Sequence, residues 1–140
     1  MKTLLLYILA AGMFCFFCTE QEANGGGGEP PPQPTDTIPP IVNITYPHSG
    51  DEFMYCTTIN VSADVTDNEG VSHVTFRVTR VYDNAVIIDW EDYAEPYIYM
   101  GWHPECGYPE QRYYKILVTG FDLEGNSSQD YIVMSVIWID

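Results

Sequence analysis

The sequence predicts an all-β sandwich of about seven antiparallel strands for most of this 140-residue chain. From residue 36 onward, apolar and polar residues alternate in short runs, which are separated by turn residues such as Gly, Asn and Asp. No segment shows the period of an amphipathic helix. Hydrophobic residues make up 46% of the chain, which is enough for a core, so disorder by composition is excluded.

Each predicted strand rests on its own pattern. The predicted strands are residues 41–46, 58–65, 71–81, 86–90, 97–102, 114–119 and 131–139. In the second, third and sixth of them every other residue is apolar, so those residues must face one interior. The predicted core is Ile59, Val61, Ala63, Val74, Phe76, Val78, Tyr114, Ile116 and Val118. Seven strands in about 100 residues have the size and pattern of an immunoglobulin-like sandwich.

Residues 1–17 are predicted to be an export signal. Lys2 supplies the positive charge, and residues 4–17 form an uncharged apolar run too short to span a bilayer comfortably. Cys18 closes the run and polar residues follow, a pattern that resembles the start of a bacterial lipoprotein, in which this cysteine is lipidated. The alternatives are cleavage near residues 10–12, which gives a free secreted protein, and an uncleaved membrane anchor. Either a cell-envelope lipoprotein or a secreted protein is expected.

Residues 18–35 are predicted to be a tether. The glycine run at 25–28 is flexible, and the proline-rich run at 30–34 is a stiff polyproline II spacer. Neither run can build a core. The folded domain is therefore expected to cover residues 36–140.

The charge balance limits the partners. The chain has 5 Lys and Arg against 20 Asp and Glu, a net charge of −15. Such a surface repels phosphate backbones and anionic lipids, so nucleic-acid binding is excluded and membrane contact is expected only through the N-terminal anchor. The expected partner is a protein or a glycan at the cell surface.

Three stretches carry a more specific resemblance. Residues 36–53 (DTIPPIVNITYPHSGDEF), 59–78 (INVSADVTDNEGVSHVTFRV) and 113–128 (YYKILVTGFDLEGNSS) resemble, in this order, the bacterial Ig-like domains of secreted enzymes and surface proteins. The resemblance covers residues 36–140. It implies a seven-stranded sandwich that serves as a spacer, an adhesive module or a carbohydrate-contacting accessory.

A disulfide between Cys56 and Cys106 is expected on this topology. In an Ig-like sandwich, the connection before the second strand and the connection after the fifth lie at the same end, so the two thiols can approach each other. Export would place them in an oxidising compartment. The alternative is two separate buried thiols.

A calcium site is the other consequence of the Ig-like topology. The segment that enters the first strand and two acidic turns are expected at one end of the sandwich. Oxygen-rich clusters of this kind suit Ca²⁺. The candidate ligands are Asp36, Asp67, Glu69, Asp122 and Glu124. The alternative is that these turn residues only bond their own backbone.

Catalysis finds little support, so no enzyme activity is expected. His48, His73 and His103 are scattered and show no nucleophile or metal-ligand spacing, and His73 is expected to be solvated. If Trp102 faces the core, strict alternation exposes Tyr97 and Tyr99 as a ledge able to stack on sugar rings, which would make the chain a carbohydrate-binding module. The alternative is ordinary aromatic pairing on a sheet face.

Overall fold

A computed structural model describes residues 35–104, 106 and 110–138. These residues belong to one compact unit, Pro34–Asp140. The strands are β1 (Ile41–Tyr46), β2 (Glu52–Met54), β3 (Ile59–Thr66), β4 (Val71–Arg80), β5 (Val86–Asp92), β6 (Ile98–Trp102), β7 (Arg112–Asp122) and β8 (Ser127–Ile137). Within the described part there is no helix, and therefore none long and apolar enough to cross a membrane.

Two sheets face each other. The smaller sheet has the order β1-β3-β6, and the larger has the order β2-β8-β7-β4-β5. The first two strands belong to different sheets because the chain bends after Tyr46, so that β1 pairs antiparallel with β3 whereas β2 pairs parallel with β8. This switch accounts for the eighth strand. With only three residues, β2 is too short to show an alternating pattern in the sequence.

The core lies between the sheets and contains all nine residues predicted for it. The six on β4 and β7 are at most 1% exposed, and Ala63, at 5%, is the most exposed of the nine. The rings of Trp102 and Tyr114 meet across the interior at 5.0 Å between centroids. The alternation read from the sequence therefore predicts the inward face of β3, β4 and β7 correctly.

Polar contacts tie the edge of the smaller sheet to the larger one. The Asp130 carboxylate accepts a hydrogen bond from the Ile44 amide at 3.1 Å, and the Ser128 hydroxyl donates to the Pro40 carbonyl. The sheets approach each other closely at Gly120, because a Cβ there would lie 2.7 Å from the Val65 side chain. The glycine lets β1 and β3 pack directly on β7.

Candidate functional site

The acidic turns meet at one end of the sandwich, as the sequence predicted. Residue Ile41 at the start of β1 pairs with Thr66 at the end of β3, and Val71 at the start of β4 pairs with Asp122 at the end of β7. The segment before β1, the β3–β4 turn and the β7–β8 turn therefore leave the sheets side by side. We call this group of carboxylates, Asp36, Asp67, Glu69, Asp122 and Glu124, the acidic end.

Asp122 organises the β7–β8 turn. Its Oδ1 accepts hydrogen bonds from the amides of Glu124 at 3.0 Å and Asn126 at 2.7 Å, and its Oδ2 accepts one from the Asn126 side chain at 2.6 Å. Burial by itself would raise the pKa of Asp122, but these hydrogen bonds outweigh it and the pKa is lowered. The carboxylate is thus held ionised although it is only 2% exposed.

Asp67 and Asp36 complete the inner part of the acidic end. Asp67 Oδ1 accepts the amides of Glu69 and Gly70, both at 3.0 Å, while its Oδ2 is buried and has no hydrogen-bond partner. Asp36 accepts from the Asn68 side chain at 3.0 Å. A buried carboxylate oxygen without a donor is costly unless a cation neutralises it.

Three of the five predicted ligands converge. One carboxylate oxygen each from Asp36, Asp67 and Asp122 lies within 4.8 Å of the others. Glu69 and Glu124 are exposed at the margin. Partial desolvation raises the pKa of the Glu124 carboxyl, and the negative charges of Asp122, Asp36 and Glu69 raise it further. Clustered oxygen ligands of this kind suit a hard divalent cation.

Asn126 is the residue that sequence reasoning missed as part of the site. Besides Asp122, its side-chain amide reaches the Asp36 carbonyl at 3.1 Å, so it joins the β7–β8 turn to the segment before β1. The signal in the sequence was the spacing of Asp122 and Asn126, four residues apart across a turn that contains Gly125.

The predicted aromatic ledge is wrong. Tyr97 is 6% exposed and Tyr99 is half-buried against the core, so neither offers an open face to a sugar. The reason is a β-bulge: Ile59 pairs with Trp102 but Val61 pairs with Tyr99, so β6 has one extra residue. Gly101 adopts φ 87° at this point. The bulge resets the alternation, and Tyr99 and Trp102 both face inward.

Three exposed aromatic rings each pack against a neighbouring side chain. Tyr82 stacks under the Arg80 guanidinium at 4.8 Å, and Lys115 lies over the Tyr131 ring at 4.4 Å. Tyr93 packs on His73, whose other face lies on Phe121 at 4.4 Å. His73 is therefore half-buried in a stack of three rings, and the prediction that it is solvated was wrong. His73 does point outward, as its place in the strand predicts, but its pairing partner Phe121 points to the same face and covers it.

The other two histidines lie apart from this stack. His48 is near Asp51, with 3.5 Å between Nδ1 and Oδ2, and His103 contacts the Thr58 hydroxyl at 3.4 Å. Neither of these two contacts joins the imidazole to a serine or a cysteine side chain.

The disulfide lies at the end opposite the acidic end. The structure joins Cys56 and Cys106, with their Cα atoms 5.3 Å apart, as the sequence predicted. Nearby, the Tyr55 hydroxyl donates to the Glu110 carbonyl. The disulfide and this hydrogen bond join the loop between β2 and β3 to the loop between β6 and β7.

Comparisons with known proteins agree with this architecture. A model of the bacterial Ig domain family matches residues 40–100. A structure of the fibronectin(III)-like modules of CbhA from Clostridium thermocellum is 25% identical, with a TM-score of 0.56 over 73% of this chain and 48% of that chain. This chain thus spans about half the length of that solved chain.

Two further structures match more weakly. Murine CRIg has a TM-score of 0.42 at 11% identity, over 72% of this chain and 98% of that chain. The D00-D0 domain of intimin has a TM-score of 0.37 at 14% identity, over 70% of this chain and 48% of that chain. No protein of curated function matches the sequence.

Bacterial Ig-like domains are typical of surface or secreted proteins, and Ig-like and fibronectin(III)-like families are generally non-catalytic. The family match over residues 40–100 and the two-sheet topology agree with the motifs read from the sequence. The resemblance to bacterial Ig-like domains is therefore confirmed, and the described part of this chain is an Ig-like β-sandwich.

Proposed function

We propose that this protein is an exported, lipid-anchored Ig-like module with a non-catalytic binding or structural role at the cell surface. The observation that carries the proposal is the bacterial Ig domain match over residues 40–100. Domains of this family are typical of surface or secreted proteins. The export signal and Cys18 lie outside the described residues, and they support the proposal by their sequence alone.

The tether fits a module held away from a membrane. Seventeen residues separate Cys18 from Asp36. At roughly 3 Å per extended residue, they span roughly 50 Å. That distance exceeds the length of the sandwich strands, so the domain would be free to meet partners in solution or on a neighbouring surface.

Lipid labelling tests the proposal. Cells expressing the full chain are grown with an alkyne fatty acid, and the protein is then purified and coupled to a fluorophore. We expect Cys18→Ala to abolish the label and release the protein from the membrane fraction. Cys15→Ala is the matched control and should change neither. Unchanged labelling and fractionation of Cys18→Ala would refute the lipid anchor.

A second role, calcium binding at the acidic end, is favoured by one specific observation. The Oδ2 atom of Asp67 is buried and has no hydrogen-bond partner. One oxygen of the same carboxylate lies within 4.8 Å of an oxygen of Asp36 and an oxygen of Asp122. A cation would satisfy that oxygen and relieve the repulsion among the carboxylates. Calcium would then fix the β3–β4 and β7–β8 turns against the segment before β1.

Calorimetric titration of the chelator-treated full chain with CaCl₂ tests this role. We expect one bound ion and a higher melting temperature, because a ligand that binds only the folded state stabilises it. Asp67→Asn should remove both effects. Asp89→Asn is the control, because Asp89 pairs with Arg77 on an exposed strand away from the acidic end. Equal calcium responses in the two variants would rule out this site.

A further inference from the structure

Among the described residues, one edge of the smaller sheet is only partly covered. β6 pairs with β3 only as far as Ser62, and the next contact is the hydrogen bond from the Ala63 amide to the Tyr97 carbonyl at 3.2 Å. β3 continues to Thr66, and within the described part of the chain residues 64–66 pair with β1 alone. Because backbone groups of alternate residues point to the same side of a strand, the amide and carbonyl of Val65 point to the side that β6 has left.

A groove runs along this edge. It has a volume of about 570 Å³ and lies between residues 63–66 of β3 and residues 95–97. We call it the edge groove. Ala63, Val65 and Tyr97 form an apolar floor, since all three are buried, and the exposed carboxylates of Asp64 and Glu95 form its rim. Burial raises the pKa of the Tyr97 hydroxyl, and the negative charges of Glu95 and Asp92 beside the groove raise it further.

This geometry fits one kind of occupant. A strand added beside Val65 would hydrogen-bond to its amide and carbonyl, and its side chains would alternate between the two faces of the sheet. Side chains on the inner face would lie beside Val65 and Tyr97. Those on the outer face would lie beside Asp64. Apolar residues therefore fit the inner positions, and Lys or Arg fits the outer ones.

The chain itself offers no such segment. A second copy docking by the same edge would place Asp64 and Glu95 against the same carboxylates. The tether, residues 18–35, contains Glu20, Glu22 and Glu29, no Lys or Arg, and several prolines that lack the amide an added strand needs. Apart from Lys2, all the Lys and Arg residues of the sequence lie on β4 and β7.

We propose that the edge groove binds an extended segment of a partner protein in which basic and apolar residues alternate. This inference rests on the proposed binding role and names its partner class. Peptide binding is measured on the detergent-solubilised full chain, whether or not Cys18 is lipidated. Failure of this proposal can therefore be distinguished from failure of the lipid-anchor proposal.

The first test uses a fluorescent, capped peptide of alternating Lys and Val. We expect saturable binding by anisotropy and slower hydrogen exchange in peptic fragments that contain Val65. The same peptide N-methylated at every second residue cannot complete the strand pairing and should bind at least about tenfold more weakly. Replacing Lys with Glu should abolish binding.

Two protein variants locate the site. Asp64→Lys reverses the charge on the rim and should weaken binding by at least about tenfold. Glu91→Lys makes the same charge change on exposed β5 of the other sheet and should leave the affinity within about twofold. Both variants keep their fold if hydrogen exchange of β4 and β7 is unchanged. Equal binding of the N-methylated peptide, equal loss in both variants, or protection confined to residues 122–126 would overturn the proposal, as would no binding.

Discussion

Replacing Phe76 by Ala should remove much of the stability of the sandwich. Phe76 lies at the middle of β4, between Trp90 of β5 and Val118 of β7, and its side chain is 0% exposed. Its removal leaves a cavity that the paired strands cannot close, at a cost of about 3–5 kcal/mol. With a urea slope of about 1–3 kcal/mol per M, the unfolding midpoint should fall by about 1–5 M.

Phe121→Ala is the matched control for this prediction. Phe121 is a residue of β7 in the same sheet as Phe76, but its side chain faces outward and is half-buried against His73. We expect this variant to cost less than about 2 kcal/mol, because only the outer ring stack is lost. Equilibrium urea titration, followed by tryptophan fluorescence, measures both variants. A loss below about 1 kcal/mol for Phe76→Ala, or a larger loss for Phe121→Ala, would show that the inward face is assigned wrongly.

Three further results are expected. Gly120→Ala should destabilise the fold by about 1–3 kcal/mol in the same titration, because the new Cβ would press on Val65; a neutral effect would contradict the close packing of the sheets there. Glu124→Gln should stabilise the calcium-free protein at neutral pH, because a raised folded-state pKa makes the ionised form unfavourable in the fold. That gain should disappear in thermal melts below the ordinary Glu pKa of about 4.3, where both states are protonated, and a gain that persists there would rule out this electrostatic cause. Alkylation of the unfolded, unreduced chain should leave Cys56 and Cys106 unmodified in the intact mass, and their reduction should cost about 4 kcal/mol at most. Two alkylated thiols without reductant would disprove the bond.

The sequence predicts those strands best in which one face is wholly buried. β3, β4 and β7 each have a strand on both sides, so their alternation is unbroken and their inward residues could be named. Edge strands carry weaker patterns. On β5, at the edge of the larger sheet, Ile88 is the buried residue, and β2 is only three residues long. A strand that touches the core at one or two positions leaves little periodicity to read.

The failure at β6 has a different physical cause. Strict alternation places Tyr99 and Trp102 on opposite faces, and one extra residue in the bulge at Gly101 brings both inward. The positions of the acidic turns, by contrast, follow from strand order. β3 and β4 are consecutive strands in opposite sheets, whereas β7 and β8 pair within one sheet. Because β4 and β7 are antiparallel partners, the turn before β4 and the turn after β7 lie at the same end. The role of Asn126 depends on side-chain geometry, which strand order does not specify.

Limited proteolysis of intact cells tests most directly whether the folded module is displayed on a lipidated tether. Protease added outside the cells is expected to cut within residues 18–35 and to release a soluble, folded fragment that begins near residue 35. The fatty-acid label on Cys18 is expected to stay with the membrane. Release of the fragment with the label attached, or full protection of the chain until the cells are lysed, would contradict surface display on this anchor.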